Sequence, residues 1–185
     1  MADKYVFLDR DGVINKDPKG WTEYSYVTRW EDFHFLPGVL EALEELSLSG
    51  YKSVIISNQQ GVGKGYFTEE ALNNITGKMI KTIEEAGGSV AGVYYCIHAK
   101  EEGCDCRKPD SGLFLKAQKE LGIESLADMF YIGDTERDIQ AGKKAGLKTV
   151  LALSGKSSQK DAEQWQWKPD YICKDLLEAV KLVID

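Results

Sequence analysis

Short apolar runs alternate along the chain with stretches of helical period. The runs YVFL (5–8), SVII (53–56), VYY (93–95), MFYI (129–132) and TVLAL (149–153) are rich in branched and aromatic residues, as strands buried on both faces are. Between them, residues 38–49 carry Val39, Leu40, Leu43 and Leu46 at helical spacing after Pro37-Gly38. Residues 69–86 follow Thr68, a good N-cap, with Phe67 and Leu72 placed as a hydrophobic staple. Helices are also predicted over 112–121 and 136–145, ending at Gly122 and Gly146, and over 175–184. Strand, helix, strand, repeated, implies right-handed crossovers: an α/β, three-layer, Rossmann-like domain with a mainly parallel sheet.

One segment breaks the alternation. Residues 15–35, NKDPKGWTEYSYVTRWEDFHF, are long, aromatic and turn-rich, which suits either a functional loop or lid, or a peripheral hairpin. Otherwise 185 residues without repeats or low-complexity linkers read as a single domain over 1–185.

A net charge of −7 argues against binding nucleic acid or an anionic membrane, yet leaves room for a small phosphorylated ligand held by a few local cations. The opening MADKYVFLDRDG has only four apolar positions before charge returns, too few for a signal peptide or a spanning helix. With three of its four cysteines clustered, the chain reads as cytoplasmic and metal-binding rather than disulfide-bonded. The expected form is a monomer.

The first strand runs into FLDRDGVIN. Asp9 and Asp11 lie two apart, so extended geometry points both carboxylates to one side, at the carboxyl end of a parallel strand where ligands bind. One can attack phosphorus while the other protonates the leaving oxygen, and Gly12 lets the backbone turn away. An isolated pair of this kind is more often an acidic turn after a strand. The fourth strand, however, ends in YIGDTERDIQAG, bringing Asp134 and Asp138 to another strand end. Several carboxylates on one edge call for a hard cation, and Mg²⁺ suits them. Thr135 and Asp138 also have capping-box spacing, which explains part of this motif. The second strand ends SNQQGVGKG, with Ser57 and Asn58 before a glycine-rich turn able to present N–H groups to phosphate. It is no P-loop: Asn58 stands where that motif needs glycine, and Gly65 where it needs Ser or Thr.

Between 96 and 106, Cys96, His98, Cys104 and Cys106 supply three sulfurs and a nitrogen, a common structural zinc set; the plain alternative is reduced thiols beside a loop histidine. No CxxC is present, against a thioredoxin-like site.

DRDGV (9–13), SNQ (57–59), RKP (107–109) and GDTERD (133–138) resemble, in order, the four motifs of the haloacid dehalogenase-like phosphatases. By that resemblance Asp9 is the nucleophile of an aspartyl-phosphate mechanism and Asp11 the general acid/base. Ser57 and Asn58 bind the phosphoryl group, and Lys108 offsets its charge. Mg²⁺ is held by Asp9, the backbone carbonyl of Asp11, and Asp134, with Asp138 in support. The zinc loop would then brace Arg107 and Lys108. C-x-H…C-x-C-R-K-P is similar to the zinc-loop branch, which lacks a large cap domain and contains D-glycero-D-manno-heptose 1,7-bisphosphate phosphatases and histidinol-phosphate phosphatases. In such a branch loops 15–35, 59–66 and 96–106 carry specificity.

A sugar bisphosphate needs cations for its second phosphate, for which Lys64, Arg107 and Lys16 or Lys19 are candidates. Histidinol phosphate would instead suit Asp17, Trp21, Glu23 or Tyr24, and the five-residue spacer from His98 to Cys104 leans that way. GKGYFTEE (63–70) and RKPDSGLF (107–114) favour the heptose enzymes. The reading adopted is the heptose bisphosphate, with histidinol phosphate and a catalytically silent zinc module as alternatives.

Overall fold

Strands β1 (Lys4–Leu8), β2 (Tyr51–Asn58), β3 (Val90–Cys96), β4 (Phe130–Gly133), β5 (Lys148–Ala152) and β6 (Tyr171–Cys173) form one sheet in the order β3-β2-β1-β4-β5-β6, every neighbouring pair parallel. The computed structural model describes residues 4–185; residues 1–3 of the predicted 1–185 unit lie outside the described residues. Helices α1 (Val39–Leu48), α2 (Glu69–Glu85), α3 (Gly112–Glu120), α4 (Glu136–Ala145), α5 (Gln159–Gln164) and α6 (Leu176–Ile184) connect and flank the strands.

The strand alternation sorts the core into two layers. Val6 and Leu8 of β1, Ile55 of β2 and Ile132 of β4 face α1, α2 and α6, where they meet Leu43, Met79 and Val180. Phe7, Val54, Ile56 and Tyr131 point the other way, onto Phe114 of α3 and Ala141 of α4. This is the predicted three-layer α/β arrangement. The chain moves outward from β1 to β2 and β3, then returns to the other side of β1 with β4. The switch point therefore lies between β1 and β4, where parallel sheets open a crevice at their carboxyl ends. All the candidate motifs follow strands at that edge.

The predicted strands and helices are present, with β2 and β3 longer than the apolar runs indicated. Ser57 shows why: it is 2% exposed and pairs with Tyr95 of β3, its polarity masking a buried strand position. The short β6 and α5 were not predicted. Only Cys173 of β6 and Ala162 of α5 are buried, too little pattern to read. Segment 15–35 is no hairpin. It holds two 3-10 turns, 23–25 and 30–32, is anchored by buried Val27 and Phe33, and is closed by a bridge from Asn15 to Phe35. Thr68 caps α2 as expected, accepting the Ala71 N–H at 3.1 Å. Among the described residues, no helix is long and apolar enough to cross a membrane.

Candidate active site

Lys108 lies at the centre. It is 3% exposed, and its ammonium sits 3.0 Å from Asp9 Oδ1 and 2.6 Å from Asp138 Oδ1, donating also to Tyr131 Oη at 2.8 Å and Ile56 O at 3.1 Å. Burial alone would discharge such a group, but Asp138 and Asp9 hold its pKa above the usual lysine range. Its backbone is fixed by Asn58, whose Oδ1 accepts the Lys108 N–H at 3.0 Å and whose Nδ2 donates to Lys108 O at 3.1 Å. Asn58 thus spends its side chain on the lysine's backbone.

Asp9, Asp134 and Asp138 bring carboxylate oxygens within 4.8 Å of one another, all three buried. Burial pushes Asp9 up to about 7, opposed by Lys108 and aided by Asp138 and Asp11. Asp134 is raised well above the carboxylate range by burial, then by Asp138 and Asp9. Asp138 goes the other way despite burial: Lys108, Thr135 and Tyr131 bring it down to about 2. Both its oxygens are engaged, Oδ1 by Lys108 and Tyr131, Oδ2 by the Thr135 N–H at 3.0 Å and hydroxyl at 2.5 Å. Half of the capping box read in the sequence is made, since Asp138 accepts from the Thr135 N–H while the Thr135 hydroxyl donates to it rather than capping the helix, and these bonds orient the acid that holds Lys108. Three carboxylates facing one ammonium leave negative charge for which a hard cation is the natural complement, so the donor set fits Mg²⁺.

Two glycines shape this floor. A Cβ at Gly12, which has φ +89°, would lie 2.3 Å from Asp134 Oδ2; one at Gly155 would lie 2.1 Å from the same atom. Asp134 is packed against both backbones, and Oδ2 accepts the Lys156 N–H at 2.8 Å. Asp11 stands apart from the cluster. Although partly buried, its carboxylate is held below the usual range by Arg10, Asn15 and Gln59.

In the zinc-loop candidate, His98 Nδ1 lies 3.2 Å from Cys106 Sγ and 3.8 Å from Cys96 Sγ, and the Cys96 and Cys104 sulfurs are 3.6 Å apart. These cysteines are not in disulfides. Ligands about 2.0–2.3 Å from a tetrahedral ion have edges of roughly 3.3–3.8 Å, so the set fits zinc. The loop is tied to the site: the Gln59 N–H bonds Cys96 O at 2.7 Å, and the Gly63 N–H bonds Ile97 O at 2.9 Å.

A cavity of about 340 Å³ opens over the cluster. Asp9, Asp11, Ser57, Asn58, Lys108, Asp134 and Asp138 line its floor, and loop 15–35 adds Lys19, Tyr24 and Tyr26 to its wall. Lys64 lines it too, 6.0 and 5.8 Å from the Tyr26 and Tyr66 ring centroids, and Tyr24 stacks on Tyr66 at 4.5 Å. Of the cations expected to meet a second phosphate, Arg107 and Lys16 are not on the lining. With Lys108 drawn inward and clasped by Asn58, its neighbour is left off the lining, its Nη1 buried without a partner.

The HAD-hydrolase-like family model matches residues 105–179. The D-glycero-beta-D-manno-heptose-1,7-bisphosphate 7-phosphatase of Haemophilus ducreyi is 38% identical over 99% of this chain and 100% of its own. The chain belongs to this family of HAD-like phosphatases. The family member from Photorhabdus laumondii is 43% identical over 86% of this chain and 85% of its own. A D,D-heptose 1.7-bisphosphate phosphatase from B. bronchiseptica, solved with magnesium and phosphate, superposes with a TM-score of 0.87 at 30% identity, covering 98% of each chain.

Arg137 and Lys156 also line the cavity of this family member and were not singled out in the sequence. Arg137 lies inside GDTERD, and Lys156 follows a parallel strand's carboxyl end; position was the available signal in both cases. Tyr131 gave none, being one aromatic in an apolar run. Gly155→Ala should displace Asp134 and lower kcat by about 100-fold or more with little change in melting temperature. Steady-state assays beside a thermal melt check this; an unaltered kcat would contradict the close packing.

Proposed function

We propose that the chain hydrolyses the 7-phosphate of D-glycero-D-manno-heptose 1,7-bisphosphate through an aspartyl-phosphate on Asp9. The observation that carries the substrate reading is the charge of the cavity wall. Its acids, Asp9, Asp11, Asp134 and Asp138, all belong to the floor, whereas Lys19, Lys64, Arg137 and Lys156 supply four further cations. A substrate with a second phosphate meets complementary charge there. Histidinol phosphate would bring an imidazole and an amine, yet of Asp17, Trp21, Glu23 and Tyr24 only Tyr24 is on the lining. The names and full-length similarity of the relatives support the same choice.

The chemistry follows from the floor. Asp9 attacks phosphorus, the bond from phosphorus to the sugar oxygen breaks, and Asp11 gives that oxygen a proton. Asp11 is held as a carboxylate in the free chain; an arriving phosphoryl dianion raises its proton affinity and loads it for this step. Asp11 then takes a proton from the water that attacks the aspartyl-phosphate, releasing inorganic phosphate and restoring Asp9. Ser57 holds a phosphoryl oxygen, and Lys108 balances charge from below. Mg²⁺ would be held by the Asp9 and Asp134 carboxylates and the Asp11 carbonyl, with Asp138 in support, and would supply the positive charge that lets an anionic nucleophile meet an anionic phosphoryl group.

Zinc at Cys96, His98, Cys104 and Cys106 is structural in this reading, since four protein ligands leave no open position. Cys106 lies two residues before Lys108, so a metal clip there removes backbone freedom worth roughly 1–2 kcal/mol per residue.

Three outcomes follow. The wild type should show kcat/KM for heptose 1,7-bisphosphate at least about 100-fold above histidinol phosphate, and Arg137→Ala should cost about tenfold, mainly through KM. A reversed substrate ranking would overturn the assignment. Cys104→Ser should lose its zinc by metal analysis and lower kcat by about tenfold as Lys108 loosens. A zinc-free variant with normal turnover would remove the bracing role.

A further inference from the structure

Gln59 and Asn15 are polar side chains in places where the fold has no structural use for polarity. Both are fully buried, and the Gln59 Oε1 and Asn15 Oδ1 atoms have no partner. An apolar residue of similar volume would avoid that cost. Their amide nitrogens are fully committed. Gln59 Nε2 donates to Asp11 Oδ2 at 2.8 Å and to Ser57 Oγ at 3.0 Å. Asn15 Nδ2 donates to Asp11 Oδ1 at 2.8 Å and to Lys16 O at 3.0 Å. Arg10 adds Nη2, 3.0 Å from Asp11 Oδ1 and 3.2 Å from Oδ2.

The acceptors settle which way each amide points. An ionised carboxylate and a backbone carbonyl can only accept, so each must face an N–H rather than an amide oxygen. For Gln59 this fixes the second N–H on Ser57 as well. A serine hydroxyl owns one hydrogen. With Oγ accepting from Gln59, that hydrogen is left to donate, and Ser57 lines the cavity over Asp9. One buried amide therefore constrains two groups, the acid/base carboxylate and the hydroxyl beside it.

We propose that Gln59 and Asn15 are positioning residues: together they hold the Asp11 carboxylate in place for proton transfer, and Gln59 also sets the Ser57 hydroxyl as a donor to the phosphoryl group. Loss of either amide lets the Asp11 side chain rotate away and slows the chemical steps that use it. The inference rests on the acid/base role given to Asp11 above.

A double-mutant cycle tests it, run on whichever of heptose 1,7-bisphosphate and histidinol phosphate the wild type hydrolyses faster. Gln59→Met, which keeps volume and removes the donor, should lower kcat by about 10–100-fold in the wild-type background. In an Asp11→Asn background the same change should cost at least about threefold less, because its route through Asp11 is already disabled and only its hold on Ser57 remains. Asn15→Leu should follow the same pattern. Should the apolar variants fail to fold, Gln59→Glu and Asn15→Asp keep shape, exchange donor for acceptor, and carry the same cycle. Equal losses in both backgrounds, or no loss beside intact Asp11, overturn the proposal. Full activity in Asp11→Asn alone is a different result, and strikes at the role of Asp11 itself.

Discussion

A buried ammonium held between two carboxylates organises the site. Lys108 is 3% exposed, and its Asp9 and Asp138 contacts of 3.0 and 2.6 Å leave it no alternative position with comparable compensation. Breaking a buried pair by removing one partner typically costs about 3–5 kcal/mol, because the other charge stays behind unpaired. Here the lysine is shared, so its removal would strand two acids beside a third, Asp134. The network is therefore a condition for burying the acids at all. It also leaves an unmet negative charge at the sheet edge, the kind that a hard cation would balance.

The fold divides the work by element. Strand ends fix the acids: β1 leads into Asp9, and β4 into Asp134 with α4 starting at once and presenting Asp138. Except for Arg137 on α4, the cations come on loops and need holding. Asn58 at the end of β2 clasps the backbone of Lys108, while the cysteine loop packs against the turn after β2 through Gly63, where a Cβ would lie 2.5 Å from Ala99 N. Lys19, Lys64, Arg137 and Lys156 reach the cavity from four separate segments, which makes its wall positive although the whole chain carries a net charge of −7.

What could be read from the sequence was what short-range pattern encodes. The layered sheet followed from alternating periods, Asp9, Asp11 and Asp134 from motifs at strand ends, and Lys108 from the resemblance of RKP to a known motif. The four members of the cysteine loop do come together. The rest depends on contacts between distant segments. Arg107 looked equivalent to Lys108 in the sequence, but only one of two adjacent side chains can enter the buried pair. Asn58 was expected to hold phosphate, and its clasp on Lys108 spans 50 residues of sequence. Gln59 and Asn15 lie in the stretches SNQ and FLDRDGVIN without a role that the pattern itself reveals, since that role exists only where the segments around Asp11 and Ser57 meet. Gly155 matters because Asp134 happens to pack against it.

The account stands on Asp9 becoming phosphorylated beside Lys108. Acid quenching during turnover of substrate labelled in the 7-phosphate, followed by proteolysis and mass spectrometry, reads this directly. The label should appear on the peptide containing Asp9, on that aspartate, and decay as inorganic phosphate is released. Turnover with no covalent label, or with the label on another residue, would contradict it.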